Sequence, residues 1–201
     1  MHRYILTGTP GAGKTSILGE LAALGNHTVA EAATDVITAE QARGEPEPWT
    51  RDDFVEQVTA LQRDRQLRAP VAGPGLQLYD RSPVCTHALS VFQGRPVPPG
   101  LAAELARIVQ ERIYRPQVLF VRQLGFCEPT AARRISFADA LEFERVHEES
   151  YRAFGFELVE IPPGPLAERV ARVRGVLAEL SGLRERSGLP GWRGPGAWGR
   201  S

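Results

Sequence analysis

The stretch Gly8-Thr9-Pro10-Gly11-Ala12-Gly13-Lys14-Thr15 has the spacing G-x-x-x-x-G-K-[ST], and the chemistry such a spacing serves is phosphate binding. Glycines let successive backbone N–H groups turn inward around phosphate oxygens, and a helix opening at the end of the loop adds its positive dipole end. On this reading Gly8, Thr9, Pro10, Gly11, Ala12, Gly13, Lys14, Thr15 and Ser16 wrap a nucleoside triphosphate. Lys14 reaches its β- and γ-phosphates, and the Thr15 hydroxyl holds Mg²⁺. Lys14 is the only lysine in the chain, and the other strongly basic residues are all arginine. A compact ammonium on a flexible stem suits a phosphate cradle, and a planar guanidinium fork does not replace it.

Four other places carry groups that could act on a bound phosphate. Glu31 ends the short apolar run Val29-Ala30, at a position similar to the one where deoxynucleoside kinases hold the carboxylate that orients an acceptor hydroxyl. The plain alternative is an acid capping the helix that follows. Asp80-Arg81-Ser82 follows the apolar run Leu76–Tyr79 and resembles the acid-Arg-(Ser/Tyr/Phe) element of small-molecule and nucleoside kinases. There the acid assists Mg²⁺ or the acceptor, and the arginine contacts phosphate or substrate. A strand-end surface ion pair is the alternative. Arg133-Arg134 lies where such kinases carry a lid whose arginines cover the transferred phosphoryl, and a solvated basic turn is the competing reading. Arg122 is a weaker candidate for the same task. Trp49 would stack on an acceptor ring or cover the helix beginning near Thr50.

These residues need elements to position them. Tyr4-Ile5-Leu6 reads as the first strand, and Ser16–Leu24 as the helix after the loop, with Ile17, Leu18, Leu21 and Leu24 on one face. Further strands are expected at His27–Ala30, Leu76–Asp80, Gln117–Val121 and Glu157–Ile161. Between them come helical stretches at Ala32–Arg43, Thr50–Arg68 (Thr50 with Asp53 as cap), Pro83–Phe92, Leu101–Ile113, one marked by Phe143, Val146 and Phe154, and Leu166–Leu180. Gly44–Trp49 is expected to be irregular, because prolines interrupt it. Alternating strands and helices imply an α/β fold with a parallel sheet covered on both faces, and ligands bind beyond the carboxyl ends of its strands.

At 201 residues, 42% hydrophobic and 24% charged, the composition is that of a globular domain. We expect residues 1–181 to form one domain and 182–201, rich in Gly, Arg, Pro and Trp, to be a disordered tail. The 24 basic and 24 acidic residues balance, so nothing in the overall charge draws the chain to nucleic acid or an anionic membrane. Neither the two cysteines nor the four histidines show metal-ligand spacing, and no run approaches membrane-spanning length. With no signal-like leader, the expectation is a cytoplasmic protein with reduced thiols.

Taken together, the chain over about residues 3–180 resembles P-loop AAA-type ATPase/kinase domains related to the ribosylnicotinamide kinase domain of the bacterial NAD regulator. The residues carrying the resemblance are Leu6–Thr15, Val29–Ala33, Pro48-Trp49-Thr50, Asp80-Arg81 and Ala153–Pro162. It implies a P-loop NTPase three-layer sandwich, nucleoside-kinase-like, with a five-stranded parallel sheet in the order 2-3-1-4-5. The chain departs from the family before the paired arginines, where it has Thr130-Ala131-Ala132 and members carry acids. A guanine-reading Asn-Lys-x-Asp loop is excluded, since no second lysine exists. The expected function is an ATP- and Mg²⁺-dependent kinase acting on a hydroxyl of a small, nucleoside-like molecule. In that reading Lys14, Glu31, Asp80, Arg81, Arg133 and Arg134 are catalytic, and Thr15 and Asp80 are metal-holding. The alternative is a nucleotide-binding ATPase or GTP-binding regulatory module that presents a partner-binding surface with little turnover. Oligomeric state is left open by the sequence.

Overall fold

The apolar strand β1 (His2–Thr7) lies at the centre of a five-stranded parallel sheet ordered β2-β3-β1-β4-β5, as expected. The structure, a computed structural model, describes residues 2–69, 75–124 and 137–186. The other strands are β2 (His27–Val29), β3 (Leu76–Asp80), β4 (Gln117–Val121) and β5 (Glu157–Ile161). β1, β3 and β4 are almost wholly buried, because helices cover both faces. Register places Leu6 beside Asp80 and Thr7 beside Phe120. The first loop, the β3 terminus and the β4 terminus therefore meet at one sheet edge, the carboxyl edge where ligands bind in such folds.

The helices are α1 (Lys14–Ala23), α2 (Ala32–Ala42), α3 (Phe54–Arg68), α4 (Pro83–Phe92), α5 (Pro99–Gln110), α6 (Phe137–Ala153) and α7 (Leu166–Arg186). One core layer joins Ile17, Leu18 and Leu21 of α1 to Val170, Val173, Val176 and Leu177 of α7 across β1 and β4. The opposite layer packs Val55, Val84, Leu101, Leu105 and Tyr151 under Ile5, Tyr79 and Val118.

Local differences from the sequence reading have local causes. Pro48–Thr50 forms a 3-10 turn inside the segment expected to be irregular, with Pro48 at its first position, where its missing N–H costs nothing. The helix expected from Thr50 begins instead at Phe54. Thr50 donates to Glu47 O (2.7 Å), while Arg51 takes the Asp53 carboxylate that would have capped α3. α5 ends before Ile113, since Arg112 turns the chain with φ 51°. α7 runs past Gly182 to Arg186, into the segment expected to be disordered, and residues 187–201 lie outside the described residues.

Candidate functional site

The loop between β1 and α1 is shaped by glycines that no larger residue could replace. Gly8 has φ 138°, and a Cβ there would meet Val121 O at 2.3 Å. Gly13, the N-cap residue of α1, has φ 78°. With the chain so turned, Lys14 folds back over the loop and Nζ donates to Thr9 O (2.8 Å). Lys14 is buried, and its pKa is lowered to about 8, by desolvation first and then by the Arg81 charge. An ammonium held this way is poised for an anion. Thr15 and Ser16 are exposed and, with Lys14, line a cavity.

Two residues missed in the sequence brace the loop from behind. Gln123, just after β4, donates from Nε2 to the Thr9 hydroxyl and to Pro10 O (3.0 Å for the latter). Arg169 of α7 donates from Nη2 to Ala12 O. Arg169 could have been found as a charge on an otherwise apolar stripe. Gln123 left no such mark.

Glu31 and Arg81 come together across the edge between β2 and β3. Glu31 Oε1 lies 2.5 Å from Arg81 Nε, and Glu31 Oε2 accepts from the Thr34 hydroxyl (2.9 Å). Glu31 occupies the N-cap position of α2 but makes no side-chain capping bond, so capping does not account for it. Burial acts to raise its pKa. The charges of Arg81 and Lys14 and the Thr34 hydroxyl outweigh that, and it falls to about 2. Arg81 is buried and has φ 68°, unusual for a side-chain-bearing residue, with its N–H bonded to Leu6 O (3.0 Å). That turn aims the guanidinium at Glu31, so Asp80-Arg81 is not a surface ion pair.

Behind Arg81 stands a thiol. Arg81 Nη1 donates to Cys85 Sγ (3.0 Å), Cys85 Sγ lies 3.0 Å from His147 Nε2, and His147 Nδ1 lies 3.1 Å from Phe143 O. A carbonyl only accepts, so Nδ1 carries the proton and Nε2 accepts from the thiol. Cys85 read as unremarkable in the sequence. Its role depends on a histidine far along the chain.

These groups open on one cavity of about 690 Å³. Lys14, Thr15, Glu31, Arg81 and Asp139 are among its polar and charged lining residues. Its apolar lining comes from Ile37, Trp49 and Phe54 in one cluster and from Phe92 and Phe143 in another, with Leu89 packed against both. Trp49 both lines the cavity and packs against the Phe54–Val58 cluster, and Arg95 holds its turn by donating to Thr50 O (3.0 Å). Asp80 is buried at the end of β3 and does not line this space. Its charge nevertheless acts on Lys14. Arg122, the weaker lid candidate, pairs with Glu144, Glu148 and Glu160 at the sheet edge and does not line the cavity. Arg133 and Arg134 lie outside the described residues.

Among the described residues no group of three or more His, Cys, Asp or Glu could hold a metal ion. Thr15 and Asp80 offer one hydroxyl and one carboxylate near the loop. Such a sparse oxygen set fits Mg²⁺, which keeps several waters and takes phosphate oxygens as ligands. No helix among the described residues is long and apolar enough to cross a membrane.

Comparison with solved structures gives two forms of deoxyadenosine kinase from M. mycoides, with bound dATP and with bound dCTP. Their TM-scores are 0.57 and 0.58, each at 14% identity over 89% of this chain and 100% of the other. At that identity the likeness is one of fold, the P-loop NTPase α/β fold. No curated protein matches the sequence. A family model described as an AAA domain matches residues 3–169, and with the phosphate loop, the sheet order and most of the chain inside that match, the protein belongs to the AAA domain family.

Proposed function

We propose that this protein is an ATP- and Mg²⁺-dependent kinase that transfers the γ-phosphoryl group to a hydroxyl of a small, nucleoside-like molecule. The observation that carries the reading is the Glu31–Arg81 pair, 2.5 Å apart, sharing a cavity with Lys14 and with an aromatic wall. A hydrolase needs only a water at that point, whereas the apolar side chains that line the same cavity as the carboxylate provide for the body of an acceptor. The fold shared with deoxyadenosine kinase and the sequence resemblance to ribosylnicotinamide kinase domains support the same choice.

In this mechanism the loop amides and Lys14 hold the phosphates. Thr15 and Asp80 would hold Mg²⁺, which would supply neutralisation of phosphate charge. Glu31 accepts the hydrogen bond of the acceptor hydroxyl and aims its oxygen at γ-phosphorus. A carboxylate with a pKa of about 2 is a weak base, so it orients the hydroxyl and receives the proton only as the new P–O bond forms. That order suits a loose phosphoryl transition state. Arg81 holds Glu31 in place and offsets charge on the moving group, and Arg133 and Arg134 are proposed to close over it.

The test is transfer from γ-labelled ATP to a panel of nucleosides by wild type and Glu31→Gln. The variant is expected to bind ATP nearly as wild type does and to lose transfer at least a hundredfold. Full transfer by Glu31→Gln would remove Glu31 from the mechanism. Nucleotide binding without transfer or phosphate release from any mixture would favour the regulatory-module reading instead.

A further inference from the structure

A loop that turns its N–H groups toward phosphate turns carbonyls outward, and each of those needs a donor. Thr9 O receives Lys14 Nζ, Pro10 O receives Gln123 Nε2, and Ala12 O receives Arg169 Nη2. Arg169 differs from the other two. It stands in the first turn of α7 on the buried stripe with Val170, Val173 and Leu177, and is 3% exposed. A Cβ on Gly13 would meet its Nη1 at 2.8 Å, so the guanidinium packs directly against the N-cap of α1. No carboxylate among the described residues pairs with it, and its buried Nε has no hydrogen-bond partner. A buried cation therefore lies beside the positive end of a helix dipole without a counter-charge among the described residues, an arrangement that favours an anion nearby.

We propose that Arg169 is a phosphate-affinity residue: it fixes the Ala12 carbonyl outward, and its charge is balanced by the polyphosphate chain of a bound nucleoside triphosphate. It acts through the loop and through space as a positioning residue, and contact with the nucleotide is not required. The proposal rests on the nucleotide-binding part of the function above and is independent of the acceptor. It predicts a polyphosphate site whose affinity depends on a charge contributed from α7, more than 150 residues away in the sequence.

The test measures dissociation constants of the full chain for MgATP and for inorganic tripolyphosphate at several salt concentrations, in wild type, Arg169→Lys, Arg169→Gln and Arg169→Met. Glutamine keeps a donor for Ala12 O without charge, and lysine keeps the charge. Glutamine and methionine are expected to weaken both ligands about tenfold, the equivalent of one charge-assisted contact, and to flatten the salt dependence. Lysine is expected to stay within about threefold of wild type. Wild-type affinity in Arg169→Gln would overturn the electrostatic role and leave only a brace, and wild-type affinity in Arg169→Met would overturn both. If Arg169→Met fails to fold, the lysine–glutamine contrast still decides. Wild-type protein that binds tripolyphosphate but not ATP would sink the kinase reading and leave Arg169 to be judged on tripolyphosphate. Wild-type protein that binds neither overturns both.

Discussion

His147 Nε2 and Cys85 Sγ lie 3.0 Å apart, deep between α4 and α6, with the thiol donating and also accepting from Arg81. Burial pushes the Cys85 thiol pKa up, and burial with the Arg81 charge pushes that of His147 well down. Both are neutral at ordinary pH, and the pair serves as a hydrogen-bonded mount for the Arg81 guanidinium.

Removing the mount tests it. Cys85→Ala leaves His147 Nε2 and Arg81 Nη1 without their partner, and is expected to cost about 1–3 kcal/mol of stability. Under the kinase reading it also lowers kcat about tenfold while KM for ATP changes little, because the nucleotide loop is untouched. Cys85→Ser keeps a donor and an acceptor and should recover most of both losses. Melting curves and steady-state kinetics check this, and an unchanged kcat in Cys85→Ala would show that Arg81 needs no such support.

How much of this was legible in the sequence follows from the range of the interactions. The five strands were readable because buried parallel strands are short apolar runs between breakers, as in Leu76–Asp80 and Gln117–Val121. The phosphate loop was readable because its chemistry is written in consecutive residues. Glu31 and Arg81 were readable as candidates because each closely follows a strand at the carboxyl edge. That they pair, and that Arg81 adopts a left-handed φ to do so, depends on the β2–β3 register. Arg169 was legible only as a charge on an apolar stripe, and His147 not at all, because their partners Ala12 and Cys85 are distant in sequence. The start of α3 moved because Arg51 competes for Asp53, a side-chain preference that periodicity does not record.

Glu31 titrates low, so the acid side of the pH profile should belong to other groups. With a folded pKa near 2 against an ordinary 4.5, its ion pair contributes stability above pH 4.5 that is lost as pH falls through about 2. Under the kinase reading, transfer activity between pH 4.5 and 8 should show no ionisation assignable to Glu31. An acid limb in kcat/KM near pH 6 that disappears in Glu31→Asp would contradict the low value.

Arg122 is expected to matter for stability and not for chemistry. It bonds Glu144 (2.9 Å), Glu148 and Glu160 at the α6–β5 edge, and its guanidinium lies 4.8 Å from the Phe120 ring centroid. Arg122→Gln leaves Glu144 and Glu160 facing one neutral donor, while Glu148 keeps its ion pair with Arg152 (2.7 Å). A loss of about 2 kcal/mol is expected in urea melts, larger at low salt, with Kd for ATP unchanged.

Lys14 offers a prediction in which stability and function oppose each other. In the ligand-free protein its pKa is near 8, against an ordinary 10.5. Between those values the unfolded chain holds a proton that the folded chain lacks, so stability should rise with pH across that window as the cost of a buried ammonium is relieved. Lys14→Met removes that cost and should melt at the same temperature as wild type or higher near pH 7, while ATP binding is lost. Bound phosphates favour the ammonium and lift its pKa, so ATP binding at pH 9 should take up a proton. Calorimetric titration in two buffers of different protonation enthalpy reads this directly. Binding enthalpies that agree between the buffers at pH 9 would mean that Lys14 is already fully charged in the empty site, and that burial does not hold its pKa down.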